Sequence, residues 1–286
     1  MNIAEKLVKI AENEPKIYEV GKTEGYNNGY TEGYEIGKSE GGDTDAAYEQ
    51  GKAEGIEQGY TEGKQAEYDA FWDAYQQEGK RTFYRYAFNF GGWTEQNFKP
   101  KYDIIPTGEI TSIFANTTIN ADLVEICEKQ GIVMDFSQIT QFEYCFQNSD
   151  FTRVGVIDAR KSDKFVSVFS GAKNLVTIDE IILSKKCTNY SNAFTNCSAL
   201  KNVKFSGEIV NSLNIYYSHK LSRASIESLI NCLSDTTSEK TLTLSRTAVD
   251  KAFEYYDSDG ELQNGAASWE WYELTESKPN WTISLV

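Results

Sequence analysis

The chain has 286 residues, with 43 acidic and 28 basic side chains and a formal net charge of −15. Nucleic acid and anionic membranes would both be repelled by this excess of negative charge, so we predict neither as a partner. Apolar residues make up 40% of the chain, which is enough for folded domains with cores. No run of 18 apolar residues is present, and the sequence therefore predicts no membrane insertion.

Segment 1–20 predicts a short helix that attaches the chain to a larger particle. Ile3, Leu7 and Ile10 recur at helical spacing, and Pro15 ends the pattern. The first residues lack an apolar core of secretory length, so we expect no signal peptide.

Glycine then recurs at every fourth position through two runs. These glycines are Gly21, Gly25, Gly29, Gly33, Gly37, Gly41, Gly51, Gly55, Gly59 and Gly63. The repeat reads roughly Gly-Tyr-x-Glu, as at 29–32 and 59–62. A four-residue period excludes collagen, whose period is three, and the interleaved Glu and Lys exclude a helix embedded in a bilayer.

This repeat predicts a helix over 21–78 that needs a partner. Glycine costs a helix about 0.8–1 kcal/mol per site relative to alanine, so ten sites cost roughly 8–10 kcal/mol. Because glycine lets helix backbones approach closely, packing between copies of the segment is expected to offset this cost. We predict a coiled-coil-like stalk that forms a parallel trimer. Because the repeat is longer than 3.6 residues, either its supercoil is right-handed or the helix is locally unwound. A disordered linker is the alternative.

Segment 79–109 predicts a compact neck that is rich in aromatic residues. Its aromatic side chains are Phe83, Tyr84, Tyr86, Phe88, Phe90, Trp93, Phe98 and Tyr102. Gly91, Gly92 and Pro100 interrupt the segment. We interpret the aromatic density as buried packing, with a sugar-binding surface as the alternative.

A second repeat, with a longer period, follows the neck. Its aromatic position is occupied by Phe146, Phe169 and Phe194, at intervals of 23 and 25 residues. Each unit also predicts a short strand, and these strands are Val154–Ile157, Ile178–Leu183 and Val203–Phe205. A helix is predicted at Leu123–Lys129. No unit can bury its apolar face alone, so neighbouring units are expected to stack.

The units follow a Phe-x-x-Cys/Ala-x-x-Leu-x-x-Val/Ile pattern, and this pattern resembles the BspA-type leucine-rich repeat. Segment 221–286 resembles the terminal cap of such proteins. The resemblance implies a short leucine-rich-repeat solenoid over 110–220 and a C-terminal α/β cap over 221–286. With the glycine-ribbed helical stalk in front of them, the predicted fold class is α+β.

Catalytic chemistry has few residues to use in this sequence. His219 is the one histidine, so a Ser-His-Asp triad would depend on it, and a surface position is the simpler interpretation. The segment Asp257–Gly260 has part of a calcium-loop pattern but lacks the glutamate at the twelfth position. No phosphate-binding loop is present. We therefore predict no catalytic residue, no metal ligand and no cofactor.

The cysteines and two tyrosines complete the set of candidate residues. The five cysteines are Cys127, Cys145, Cys187, Cys197 and Cys232. They never form a Cys-x-x-Cys pair, and we predict reduced thiols packed in the core. Tyr216 and Tyr217, just before the predicted cap, are the candidates for receptor contact.

The whole chain also resembles leucine-rich-repeat proteins encoded by phages of gut Firmicutes. The resemblance implies a virion protein of the tail-fibre or receptor-binding type rather than an enzyme. Its expected partners are copies of itself, other virion proteins at the N-terminus, and a host cell-surface protein or glycan. Three alternatives stay open: a self-assembling structural subunit, an adhesin on the bacterial cell surface, and a glycan depolymerase.

Overall fold

The computed structural model describes residues 98–100, 102–235 and 239–286. These residues belong to one compact unit, Lys80–Val286. The attachment helix 1–20, the stalk 21–78 with its ten glycines, and most of the neck lie outside the described residues. The predictions for those segments stay predictions.

The first part of the described chain contains short strands and one helix. The strands are β1 (Gly108–Thr111), β2 (Ile139–Glu143), β3 (Arg153–Asp158), β4 (Phe165–Val166), β5 (Thr177–Leu183) and β6 (Asn202–Gly207). Helix α1 (Leu123–Lys129) has the bounds that the sequence predicts, and the three predicted strands lie inside β3, β5 and β6. The strands form two separate parallel sheets, in the orders β1-β2-β4 and β3-β5-β6.

The second part of the described chain adds three helices and a third parallel sheet. Its elements are β7 (Leu213–Asn214), α2 (Arg223–Asn231), β8 (Lys240–Leu244), α3 (Arg246–Ala252), β9 (Tyr255–Tyr256), β10 (Leu262–Gln263), a 3-10 turn (Gly265–Ala267), α4 (Trp269–Glu276) and β11 (Trp281–Leu285). Strand β8 lies between β7 and β11, and all three run parallel. Strands β9 and β10 form a two-residue antiparallel hairpin.

Side-chain N-caps set the start of every helix in the described residues. Asp122 accepts a hydrogen bond from the backbone N–H of Glu125 at the start of α1. Ser222, Ser245 and Ser268 do the same at the starts of α2, α3 and α4. Aspartate and serine satisfy first-turn N–H groups that have no partner within the helix, so these short helices begin at defined residues.

A column of phenylalanine rings occupies the core beside the first two sheets. The rings of Phe114 and Phe146 are 5.2 Å apart and 15° from parallel. Phe146 and Phe169 are 5.4 Å apart, and Phe169 and Phe194 are 5.7 Å apart, with similar tilts. All four rings are buried. The aromatic position predicted from the repeat is therefore a core position, which burial of apolar surface stabilises.

The turns that carry these rings share an unusual backbone conformation. Four residues two positions before the ring have positive φ, and these are Ser112, Tyr144, Ser167 and Asn192. Four residues two positions after it also have positive φ, and these are Asn116, Asn148, Gly171 and Asn196. Asparagine tolerates this region better than most residues. At Gly171 a Cβ atom would lie 2.0 Å from Oδ1 of Asn148, so any larger residue there would require the Asn148 side chain to move.

Helix α2 lies along the outer edge of β6. The hydroxyl of Ser225 accepts a hydrogen bond from the N–H of Val203 at 2.9 Å, and the hydroxyl of Ser228 accepts one from Phe205 at 3.1 Å. Two side chains of a helix thus hold the N–H groups that another strand would otherwise pair with. The sheet β3-β5-β6 ends there.

The predicted fold class is wrong for the described residues. The sequence predicts an α+β protein with a leucine-rich-repeat solenoid and an α/β cap. These residues instead form a mixed α/β arrangement of four short helices and small parallel sheets, with one antiparallel hairpin. Six of the seven strand pairs are parallel, whereas α+β proteins are built on antiparallel sheets.

The physical reason for the error lies in what the repeat pattern reports. Buried aromatic and small residues show which side chains face the core, but strand pairing depends on the backbone. Three turns are joined by backbone hydrogen bonds to the next one, for example Phe146 N–H to the carbonyl of Val168. The segment after the fourth turn is joined to it by side-chain hydrogen bonds, from Asn211 to the carbonyl of Thr188 and from Ser218 to that of Cys197, and by a backbone hydrogen bond from Ser222 to Lys201.

Candidate functional site

The cysteines are placed in the core. All five are buried and none forms a disulfide in the described part of the chain. Burial raises the pKa of the Cys127, Cys145 and Cys197 thiols to about 12, and that of Cys187 to about 11. Because the thiolate is the nucleophile, these groups are unreactive near neutral pH.

The single histidine and the acidic turn have local structural partners. Nδ1 of the exposed His219 lies 2.9 Å from the hydroxyl of Ser245, which is the N-cap of α3. Asp257 accepts hydrogen bonds from the backbone N–H groups of Asp259 and Glu261, and these bonds lower the pKa of its carboxyl group. Among the residues that the structure describes, no group of three His, Cys, Asp or Glu side chains could hold a metal ion.

Tyr216 and Tyr217 form a half-buried ring pair. Their centroids are 4.0 Å apart with a tilt of 31°. A hydrogen bond to Tyr217 raises the pKa of the Tyr216 hydroxyl. The backbone N–H of Tyr216 donates to Oδ1 of Asn214, which fixes the turn. The other predicted site residues, the ten stalk glycines, lie outside the described residues, and the role of this pair as a receptor contact stays a prediction.

The outward face of the sheet β3-β5-β6 is charged but internally paired. Arg153 donates to both carboxylate oxygens of Asp179, at 2.7 and 2.9 Å, and also to Asp122 at 3.3 Å. Lys204 lies 2.8 Å from Glu180 across the next pair of strands, and this contact lowers the pKa of Glu180. The cross-strand ion pairs leave little unbalanced charge for a ligand. We interpret this face as structural.

An exposed aromatic cluster lies on the C-terminal part of the chain. We define it as Tyr255, Trp269 and Tyr272. Trp269 is 67% exposed and Tyr272 is 53% exposed. The Trp269 and Tyr272 rings are 5.5 Å apart with a tilt of 31°. Large aromatic side chains are normally among the more buried residues of a protein, so a group of them at the surface indicates a contact site.

All three residues of the cluster line one open cleft. The cleft is bounded by Tyr255, Ala267, Ser268, Trp269, Glu270 and Tyr272. It therefore has three aromatic walls, one carboxylate and two small residues. Clefts that combine aromatic surface with a few polar groups are the usual form of small-ligand sites.

Helix α4 explains why one tryptophan is buried and its neighbour is not. Trp271 faces inward and packs against Phe253 at 5.3 Å between ring centroids. Trp269 and Tyr272 are three residues apart, so they share the opposite face of the helix. The Ser268 hydroxyl accepts from the N–H of Trp271 at 3.1 Å and fixes where the helix begins.

The turn before α4 is held tightly against α3. A Cβ atom at Gly265 would lie 2.5 Å from the carbonyl oxygen of Val249 and from the carbonyl carbon of Phe253. Asp250 in α3 accepts a hydrogen bond from the N–H of Ala266 at 3.2 Å. The cluster therefore stands on packed elements, which favours a preformed binding surface.

The charge around the cluster is negative. Segment 254–276 contains seven acidic side chains and no lysine or arginine. The flanking lysines have partners of their own, since Lys251 lies 2.8 Å from Glu254 and Lys278 donates to the carbonyl of Leu233 at 2.7 Å. Glu270 lines the cleft itself. A ligand that approaches this surface meets a field that attracts cations and repels anions.

Sequence reasoning did not identify this cluster. The signal was present in Ser268-Trp-Glu-Trp-Tyr272, where an N-cap serine precedes a tryptophan with a tyrosine three residues later. That spacing places two rings on one helix face. It does not say which face is buried, because Trp271 competes for the same role.

No helix in the described ranges has both the length and the apolar character needed to cross a membrane. Comparison of the chain with protein-family models, with curated proteins and with solved structures finds no match.

Proposed function

We propose that this chain is a virion protein of a phage that infects gut Firmicutes, and that it attaches the particle to the host surface by binding. The observation that carries the proposal is the exposed aromatic cluster, with Trp269 at 67% exposure beside Tyr272. Aromatic residues are enriched in binding surfaces because they bury a large area at a small cost in conformational entropy.

The chemistry of the other candidate groups supports binding rather than catalysis. The thiols are buried with raised pKa values, and His219 is engaged with the N-cap of α3. The acids on the strand face are paired with basic residues. The cluster is the described surface on which a partner would cover apolar area that water now contacts.

The proposal also includes self-association through the stalk. Ten glycines at four-residue steps favour close packing between copies of segment 21–78. A trimer would present three aromatic clusters to one cell, so that weak individual contacts add up to firm attachment. Light scattering of the full chain at micromolar concentration tests this part, and a monomer there contradicts it.

The experiment that tests the function is binding of the fluorescently labelled full chain to a panel of gut Firmicutes strains. We expect saturable binding to at least one strain, and competition with adsorption of the phage that encodes the chain. The Trp269→Ala/Tyr272→Ala double variant should bind at least about tenfold more weakly, which corresponds to about 1.4 kcal/mol. Val156→Ala removes an exposed apolar side chain from β3 and is the matched control that should bind normally.

Two results would overturn the proposal. Absence of binding to every strain, including the strain that the phage infects, would favour the structural-subunit alternative. Unchanged binding by the Trp269→Ala/Tyr272→Ala variant would show that the contact surface lies elsewhere on the protein. A Tyr216→Ala/Tyr217→Ala variant then shows whether that surface is the tyrosine pair.

A further inference from the structure

We propose that the cleft of the aromatic cluster binds an alkylammonium group carried on a cell-wall polymer of the host. This inference rests on the function proposed above and names the ligand class of the same site. It starts from the lining of the cleft, which includes Tyr255, Trp269, Tyr272 and the acidic residue Glu270.

The rings select for positive charge at short range. The face of an aromatic ring is the negative end of its quadrupole, and a cation near that face is attracted, most strongly by tryptophan. Trp269 and Tyr272 lie side by side on α4 and Tyr255 lines the same cleft, so an ammonium group there would contact more than one ring. A neutral apolar group of the same shape would gain the burial of its surface but not this attraction.

The surrounding charge selects for the same ligand at longer range. Seven acidic residues and no basic ones lie in segment 254–276, and Glu270 stands at the cleft itself. Phosphate, uronate and sulfate groups would be repelled, whereas an ammonium group would be drawn in. The ring faces and the surrounding negative charge therefore both favour a cationic ligand.

The size of the cleft favours a small headgroup over a folded protein partner. Its lining consists of six residues of the hairpin, the 3-10 turn and the first turn of α4. Specific protein interfaces use roughly 20–30 residues on each side. A polymer that repeats a small cationic group would supply many weak contacts, and a trimeric stalk would use them together.

The test uses the full chain and defined small probes. Saturation-transfer NMR follows the methyl signals of choline, tetramethylammonium and methylammonium, with 3,3-dimethylbutan-1-ol as the uncharged isostere of choline. We expect saturable transfer to at least one of the three ammonium ions and little to the alcohol. Preference for the methylated or the primary ion identifies the form of the headgroup.

Variants locate the site and separate its two contributions. Trp269→Ala should weaken binding of the preferred ion at least about tenfold, whereas Trp269→Phe, which keeps a ring, should retain most of it. Glu270→Gln should weaken it several-fold, with a smaller dependence on salt than the wild type shows. Thermal unfolding of each variant should match the wild type.

Several outcomes would overturn the inference. One is equal transfer to the alcohol and to the ammonium ions, and another is unchanged ion binding by Trp269→Ala. A third outcome would exclude the ligand class while leaving the proposed attachment function intact. If the chain binds cells but millimolar choline and methylammonium do not displace it, or protease treatment of the cells abolishes binding, attachment stands and the ammonium-bearing polymer is excluded.

Discussion

The turns that carry the column of phenylalanine rings and helix α4 use aromatic residues in opposite ways. In the turns, Phe146 and Phe169 are fully buried and each stacks on neighbours above and below. In α4, Trp271 is buried against Phe253 while Trp269 and Tyr272 face water. The same residue class thus serves the core in one region and leaves a surface uncovered in the other. Stability explains the first arrangement but offers no reason for the second, and the proposed binding role is based on that difference.

The largest loss of stability is expected when one ring is removed from the phenylalanine column. Phe169→Ala should lower the free energy of unfolding by about 3–5 kcal/mol, because it deletes a buried ring and leaves a cavity between Phe146 and Phe194. Urea denaturation of the full chain, followed by near-ultraviolet circular dichroism, measures the change. A loss below about 1 kcal/mol would mean that the column does not support the core.

The backbone of the sheet region gives the next largest effect. Gly207 has a φ of +84°, and a Cβ atom there would lie 1.9 Å from the carbonyl oxygen of Leu183. Gly207→Ala should therefore cost at least about 2 kcal/mol, from backbone strain plus the shift of β5. Gly131→Ala is the control, since Gly131 also has positive φ but no atom near its Cβ position. That control should cost only about 1 kcal/mol, and equal losses in the two variants would contradict the expected close approach.

Alkaline pH should show whether the Cys197 thiol is buried away from water. Burial holds the pKa of the Cys197 thiol at about 12, above the value of about 8.5 expected in an unfolded chain. The folded state therefore keeps a proton that the unfolded state loses, so the stabilisation is present below about pH 8.5 and declines as the pH rises toward 12. Between pH 8 and pH 10, the wild type should lose about 1.5–2 kcal/mol more stability than Cys197→Ala. Equal losses in urea unfolding with a reductant present would show that the thiol is accessible to water.

The smallest effect on stability is expected at the cluster, and it sharpens the comparison. Trp269→Ala removes a larger side chain than Phe169→Ala does, yet it should change the free energy of unfolding by no more than about 0.5 kcal/mol, because Trp269 is mostly exposed. Urea denaturation checks this value beside the loss of cell binding. A cost above about 2 kcal/mol would place Trp269 in the structural core and remove the basis for a binding role.

The sequence predicts burial better than it predicts pairing. The ring positions Phe146, Phe169 and Phe194, and the burial of the cysteines, follow from a pattern of apolar and small residues. The bounds of α1 also follow, because Asp122 is a recognisable N-cap in front of an apolar repeat. The division of the strands into separate parallel sheets cannot be predicted from that pattern, because backbone hydrogen bonds depend on the register between distant segments.

The candidate site shows a different limit. Trp269, Trp271 and Tyr272 lie within four positions, and sequence spacing alone puts two of them on one face of a helix. Which face meets the core depends on Phe253, directly after helix α3, and on the close approach of Gly265. Those contacts are tertiary, and the tyrosine pair Tyr216–Tyr217 drew attention instead because its two aromatic rings are adjacent in the chain.

The serines of α2 at the edge of β6 matter for a protein that is displayed in many copies. If the chain is carried on a tail in several copies, as proposed above, the effective concentration of any exposed strand edge is raised. Open edges under such crowding recruit strands from neighbouring molecules and lead to fibres. Ser225 and Ser228 already hold the N–H groups of Val203 and Phe205, so this edge offers no template to a second chain. In the proposed assembly, this edge of β6 would therefore be closed to strand addition by a neighbouring copy.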